Sequence, residues 1–187
     1  MDTKEHSQSS NFWLELGKLI FISLVIVIPF RLYVAQPFIV EGASMDPTFK
    51  SGEYLIVDEL TYHWSDPKRG SVLIFRYPRD PSKYFIKRVI GLPGETLEIK
   101  EGVVTIKNEV SPLGFIIDEP YIKFPKTDNL LITLGEDEYF VMGDNRLGSA
   151  DSRIWGPVPR EDVIGRPIIR FMPPALFPGS LPLEENK

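Results

Sequence analysis

The sequence predicts a mainly β protein, an antiparallel sheet or partly open barrel, preceded by one N-terminal transmembrane helix. Three observations lead there. Beyond residue 40 the periodic segments are short, β-branched or aromatic, and separated by turn residues. No stretch after that point sustains a 3.6-residue period, which disfavours an α/β arrangement. The one long apolar run lies near the N-terminus, from Leu19 to Phe30.

Composition narrows the chemistry. A chain of 187 residues has room for about one domain and an appendage. Its formal charge of -5, with Lys and Arg scattered, provides no basic stripe for a phosphate backbone, so no nucleic-acid partner is expected. The absence of cysteine removes disulfides, thiolate nucleophiles and thiolate metal sites together. The two histidines, His6 and His63, make a histidine-rich metal site improbable. No cofactor or metal is expected, and a hydrolytic mechanism must draw its base from Lys, Asp, Glu or a lone imidazole.

In chain order, residues 1–11 form a polar tail and residues 12–35 read as a transmembrane signal anchor. A bilayer requires roughly 20 apolar residues. The run from Leu19 reaches that length only if Phe12 to Leu16 and Leu32 to Val34 join it, with Glu15, Lys18 and Arg31 snorkelling outward. A buried core helix is the competing reading. A cleavable leader fits less well, because Tyr33-Val34-Ala35-Gln36-Pro37 lacks small residues at alternate positions. Lys4 and Lys18 against Arg31 give too little bias to orient the anchor. Residues 36–187 then read as a β-rich domain with strands over Glu53–Asp58, Ser71–Tyr77, Tyr84–Ile90, Thr96–Lys100, Val103–Lys107, Glu138–Met142 and Val163–Phe171. Glu101-Gly102 reads as a tight hairpin turn. Ser111 to Asn129, with three prolines and little alternation, reads as an extended excursion between strands.

Three clusters ask for more than folding. In Glu41-Gly42-Ala43-Ser44-Met45-Asp46-Pro47-Thr48 small residues surround Ser44, which suits a nucleophile that another backbone must approach; a serine in a surface turn would look the same. In the strand from Tyr84 to Ile90, alternation places Phe85, Lys87 and Val89 on one face. Apolar neighbours on both sides would desolvate the Lys87 amine and lower its pKa, whereas an edge-strand lysine would snorkel into water. To act as a base near neutrality, a lysine of ordinary pKa near 10.4 must lose roughly 4 kcal/mol of preference for charge. Arg88, on the opposite face, reads as a structural ion-pair partner. The third cluster, Met142 to Gly156, reads as an ordered loop in which Asp144, Arg146, Asp151 and Arg153 form bidentate pairs and Ser149 or Ser152 serves a neighbouring group. A calcium or carbohydrate loop is the alternative, against which Arg146 and Arg153 argue.

Taken together, Ser44-Met45-Asp46-Pro47-Thr48, Lys87-Arg88-Val89-Ile90-Gly91-Leu92-Pro93-Gly94 and Gly143-Asp144-Asn145-Arg146 through Ser149 to Asp151-Ser152-Arg153 resemble the three boxes of the bacterial-type (type I) signal peptidases, serine-lysine proteases of the shorter branch. The resemblance implies that Ser44 attacks the scissile carbonyl, Lys87 takes its proton, and the Ser44 N–H helps to bind the oxyanion. It implies that Ser149 orients the lysine, with Asp144, Arg146, Asp151 and Arg153 as structural support. Phe38, Val40, Met45 and Ile86 would line a pocket for the small side chains of Ala-x-Ala sites, and a substrate strand would pair beside Gln36 to Val40. The partners implied are precursors bearing signal peptides and the lipid bilayer, with the domain on the non-cytoplasmic side of a plasma or thylakoid membrane. Some members carry a serine two positions before the nucleophile; Gly42 stands there and supplies no hydroxyl. Leu147-Gly148 replaces a polar pair usual in the third box.

Rival readings are a self-cleaving repressor of the same chemistry, a triad protease using His63, and a membrane-tethered β scaffold that binds extended peptides. The first calls for an N-terminal DNA-binding helix pair where this chain has an apolar run. The second places its base in Thr61-Tyr62-His63-Trp64-Ser65-Asp66-Pro67, a loop.

Overall fold

The computed structural model describes residues 5–33, 35–171, 174–176 and 185–186. Its contacts divide the chain into two compact units, Met1–Gln36 and Pro37–Lys187. The first is built on α1, the 29-residue helix Glu5–Tyr33. Its large apolar side chains from Leu19 to Ile28 are between 49% and 67% exposed. Among the described residues no helix is long and apolar enough to cross a membrane.

Two antiparallel sheets follow. The larger uses β1 (Ala35–Ile39), β2 (Tyr54–Asp58), β3 (Val72–Tyr77) and β4 (Asp80–Gly91). The chain then leaves for the smaller sheet through β5 (Thr96–Lys100), β6 (Val103–Lys107), β7 (Phe115–Ile117) and β8 (Leu130–Thr133). It returns through β9 (Glu138–Met142), β10 (Val158–Pro159) and β11 (Val163–Phe171), with short pieces β12 (Pro174–Leu176) and β13 (Glu185–Asn186) beyond. Strand order is β1-β2-β11-β3-β4-β9-β10 in the larger sheet, β12 pairing with β11, and β13-β7-β6-β5-β8 in the smaller. Apart from β13, the smaller sheet is thus an insertion between β4 and β9.

The register explains where the cores form. β9 carries Tyr139 and Val141 into one apolar cluster, with Leu73, Phe75, Val89, Trp155 and Val163. Its alternate residues, Phe140 and Met142, enter a second cluster with Ile90, Leu97, Ile106 and Leu134. Buried on both faces, β9 reads as a continuous apolar run, as a central strand should. Each fully buried residue of this kind contributes about 1.5–3 kcal/mol. β5 and β6 meet at a two-residue turn in which Glu101 and Gly102 both have positive φ, 51° and 84°, the geometry that matches the twist of the paired strands.

The excursion after Ser111 departs from expectation in one respect: it contains β7, which pairs Ile116 with Thr105 of β6. Three residues between prolines and glycine are too few to show alternation. β9 reaches β4 only around Arg88, Val89 and Gly91, while the rest of β4 pairs with β3 alone.

Candidate active site

The site gathers around two segments that the larger sheet brings together. Ser44 sits half-buried in the turn that follows β1, above a small apolar cluster of Val40, Met45, Phe49 and Leu55. Lys87 lies on β4 and is 4% exposed. Its Nζ donates to Ser44 Oγ at 2.8 Å and to the Ile86 carbonyl at 2.8 Å, and stands 5.3 Å from the centre of the Phe85 ring. Burial pushes the Lys87 amine down from 10.5 to about 8, against the opposing pull of the Asp151 and Asp144 charges. The Ser44 N–H donates to no group among the described residues.

Beside this pair opens a cleft of about 650 Å³ whose walls include Phe38, Val40, Leu55, Ile74, Tyr84 and Ile86. Phe38 and Tyr84 meet edge-on across it with ring centres 5.6 Å apart. Three of the four expected pocket residues, Phe38, Val40 and Ile86, line the cleft; Met45 does not, being 1% exposed in the cluster beneath Ser44. The Met45 side chain packs instead with Phe49 and Leu55, on the side of the turn away from the solvent. His63 is exposed in a single 3-10 turn, bonded to the Glu59 carbonyl, and is not part of the cleft.

The third cluster forms the wall behind the pair. Asn145 donates its backbone N–H to the Ser44 carbonyl at 3.0 Å and its side-chain amide to the Ala43 carbonyl at 3.1 Å. Gly143 packs so closely that a Cβ there would collide with the Ser44 carbonyl and the Ser149 hydroxyl. That hydroxyl is buried beside the Asp151 carboxylate, whose acidity it helps to sustain, and among the described residues it makes no bond of full hydrogen-bonding geometry. Asp144, fully buried, accepts a fork from Arg88 at 2.8 and 2.6 Å and the Thr48 hydroxyl at 2.6 Å. Asp151 accepts Arg153 through Nε and Nη2, both at 2.8 Å, and the Gly143 N–H at 3.0 Å. Burial alone would raise the Asp151 carboxyl, but the bonds and charge of Arg153 and the Gly143 N–H outweigh it and hold it below the ordinary value.

The family model described as signal peptidase, peptidase S26, matches residues 13–172. The chain belongs to that family. Among its relatives is Probable signal peptidase I-2 of Synechocystis sp. (strain ATCC 27184 / PCC 6803 / Kazusa), 37% identical over 177 residues, covering 91% of this chain and 78% of the relative. Signal peptidase I P of Bacillus subtilis subsp. natto is 36% identical over 172 residues, covering 86% of this chain and 89% of the relative. A crystal structure of a signal peptidase I from Enterococcus faecalis V583 aligns with 31% identity and a TM-score of 0.47, over 55% of this chain and 97% of that one.

In this signal peptidase the loop is held differently from the pairing expected within the third cluster. Only Asp151 and Arg153 pair inside it. Asp144 is taken by Arg88, and Arg146 forms a fork with Glu119. Arg153 also reaches Asp128 at 2.5 Å. Glu119, Tyr121 and Asp128 all come from the connector between β7 and β8, where the sequence offers scattered acids among prolines and no periodic signal. Asn145 lies inside a recognised box, but its contacts with Ala43 and Ser44 span about a hundred residues and have no local signature.

Proposed function

We propose that this signal peptidase hydrolyses precursors after small side chains with Ser44 as nucleophile and Lys87 as general base. The neutral Lys87 amine takes the Ser44 proton as Oγ adds to the scissile carbonyl carbon. The Ser44 N–H, which has no partner among the described residues, donates to the oxyanion that forms. Collapse expels the leaving amine, which receives the proton from the Lys87 ammonium and leaves an acyl ester on Oγ. Water then attacks the ester carbonyl and gives its proton to Lys87; collapse releases the carboxyl product, and the Lys87 ammonium returns the proton to the departing Ser44 Oγ. Ser149, buried beside the Asp151 carboxylate, is the residue to which the family resemblance assigns the orienting of the amine. Phe38, Val40 and Ile86 bound a cleft suited to the small apolar side chains of Ala-x-Ala sites. The single observation that carries the reading is the 2.8 Å approach of a shielded amine to a serine hydroxyl.

The exposed aliphatic surface of α1 fits insertion into a bilayer as an anchor, with the β domain on the non-cytoplasmic side where exported precursors emerge. Alkaline extraction of membranes should leave the full chain in the pellet; release of the whole population into the supernatant would refute the anchor.

The enzymatic reading is tested by incubating the purified full chain with a precursor that carries an Ala-x-Ala site. Ser44→Ala and Lys87→Ala should each lose activity on the order of 10³-fold or more. A variant that cleaves at the wild-type rate would refute the dyad. The peptide-binding scaffold predicts no cleavage by the wild-type chain.

A further inference from the structure

Glu119 and Tyr121 stand outside the cleft and outside all three motifs, in the connector between β7 and β8. The Arg146 and Glu119 side chains are nevertheless 3% and 8% exposed. Glu119 receives both terminal nitrogens of Arg146 and the Tyr121 hydroxyl. From there two routes lead to the site. Arg146 passes its Nε–H to the Gly143 carbonyl at 3.2 Å, and Gly143 is the residue wedged against the Ser44 carbonyl and Ser149. The Tyr121 ring lies under the Arg88 guanidinium at 4.1 Å; Arg88 grips Asp144, and Asp144 holds Thr48, four residues after Ser44. One carboxylate thereby braces both sides of the nucleophile turn. Arg146 has no other acidic partner among its described bonds, so removing the Glu119 charge leaves a buried cation uncompensated beside the loop.

We propose that Glu119 is a positioning residue for the hydrolysis, acting through Arg146 and Tyr121 to hold Gly143, Ser149 and the Ser44 turn in register with Lys87. The inference rests on the Ser44–Lys87 reading above. It assigns the insertion of the smaller sheet a part in catalysis: its connector fixes the loop against which the dyad is set. The charged groups around the lysine amine are Asp144, held by Arg88, and Asp151, held by Arg153 and the N–H of the same Gly143 whose carbonyl Arg146 grips. Loosening that network admits water to the amine and raises its pKa toward that of a free lysine.

The test uses the full chain in detergent and the same precursor, with turnover counted per titrated active serine. Glu119→Gln should lower kcat on the order of 10- to 100-fold while KM changes by less than about threefold. The midpoint of its rate–pH curve should rise above that of the wild type. Glu119→Asp should recover part of kcat, and Tyr121→Phe, which keeps the ring under Arg88, should cost less than Glu119→Gln. A Glu119→Gln chain with unchanged kcat per active serine and an unmoved midpoint would overturn the proposal, even if its melting temperature fell. Should that variant not fold, Glu119→Gln combined with Arg146→Gln removes both charges of the pair and is judged by the same two readouts. Ser44→Ala separates the layers: if it still cleaves, the dyad itself is refuted, whereas an inactive Ser44→Ala beside a normal Glu119→Gln refutes the brace alone.

Discussion

Lys87 and Arg88 are adjacent on β4, both almost wholly buried, and their surroundings treat them in opposite ways. Lys87 bonds to a hydroxyl and a carbonyl and to no carboxylate, and its affinity for the proton falls. Arg88 turns to the other face and meets a fork from Asp144, a carbonyl from Gly70 and the ring of Tyr121. Burial would lower its pKa as well, but the bonds and charge of Asp144 reverse the sign. The contrast shows that burial by itself does not decide whether a cation stays charged. The partner decides, and pleating gives two successive residues different partners.

The strongest way to break this contrast is Lys87→Arg. A guanidinium stays protonated throughout the accessible pH range, so single-turnover cleavage should fall on the order of 10³-fold or more. Cleavage within about tenfold of wild type would mean that the charge state at this position is irrelevant. Next comes Arg88→Met, which strands the Asp144 carboxylate in the core and should cost about 3–5 kcal/mol in urea unfolding. If its stability matched the wild type, the fork would be idle. The smallest effect, and opposite in sign, is Lys87→Met. The downward displacement from 10.5 to about 8 corresponds to at most ~3 kcal/mol of penalty against the folded chain. That penalty is complete below about pH 8, where the lysine is protonated in both states. It fades as pH rises toward 10.5, because there the unfolded chain binds more protons than the folded one. Lys87→Met should therefore be more stable than wild type at pH 7 and lose that advantage near pH 10.5. The wild-type rate should climb through pH 8 over the same titration. A Lys87→Met chain less stable than wild type at pH 7, or a flat rate profile, would contradict the shielded amine.

Much of this was readable before any coordinates. β5, β6, β9 and β11 have the boundaries expected from short β-branched runs between glycines, prolines and acidic turns. The hydrophobic flanks of Lys87 foretold its burial, and Arg88 on the other face foretold an ion pair. The identity of the ion-pair partners was not readable. Arg88 and Asp144 are 56 residues apart and Arg146 and Glu119 are 27 apart, so the choice among several acids is made by sheet order. Within the third cluster itself, only the pair close in sequence, Asp151 and Arg153, could be predicted. β7 and β8 escaped notice because three or four residues hold too little alternation to rise above the surrounding prolines. Met45, which the resemblance placed at the pocket, is instead turned into the core with Phe49 and Leu55.

The stretch of β4 that β9 leaves uncovered has a cost as well as a use. Backbone groups along such an edge will accept any extended segment, including one from a second copy of the same protein, and repetition of that event builds aggregates. Asp80 and Lys83 stand on this stretch 2.9 Å apart, with Lys83 65% exposed. A growing stack of identical chains would have to bring such charges together or strip them of water, whereas a single uncharged guest near Ser44 would not. The same two charges that leave a neutral guest unhindered, one of them on the wall of the cleft itself, thus disfavour self-association along this edge.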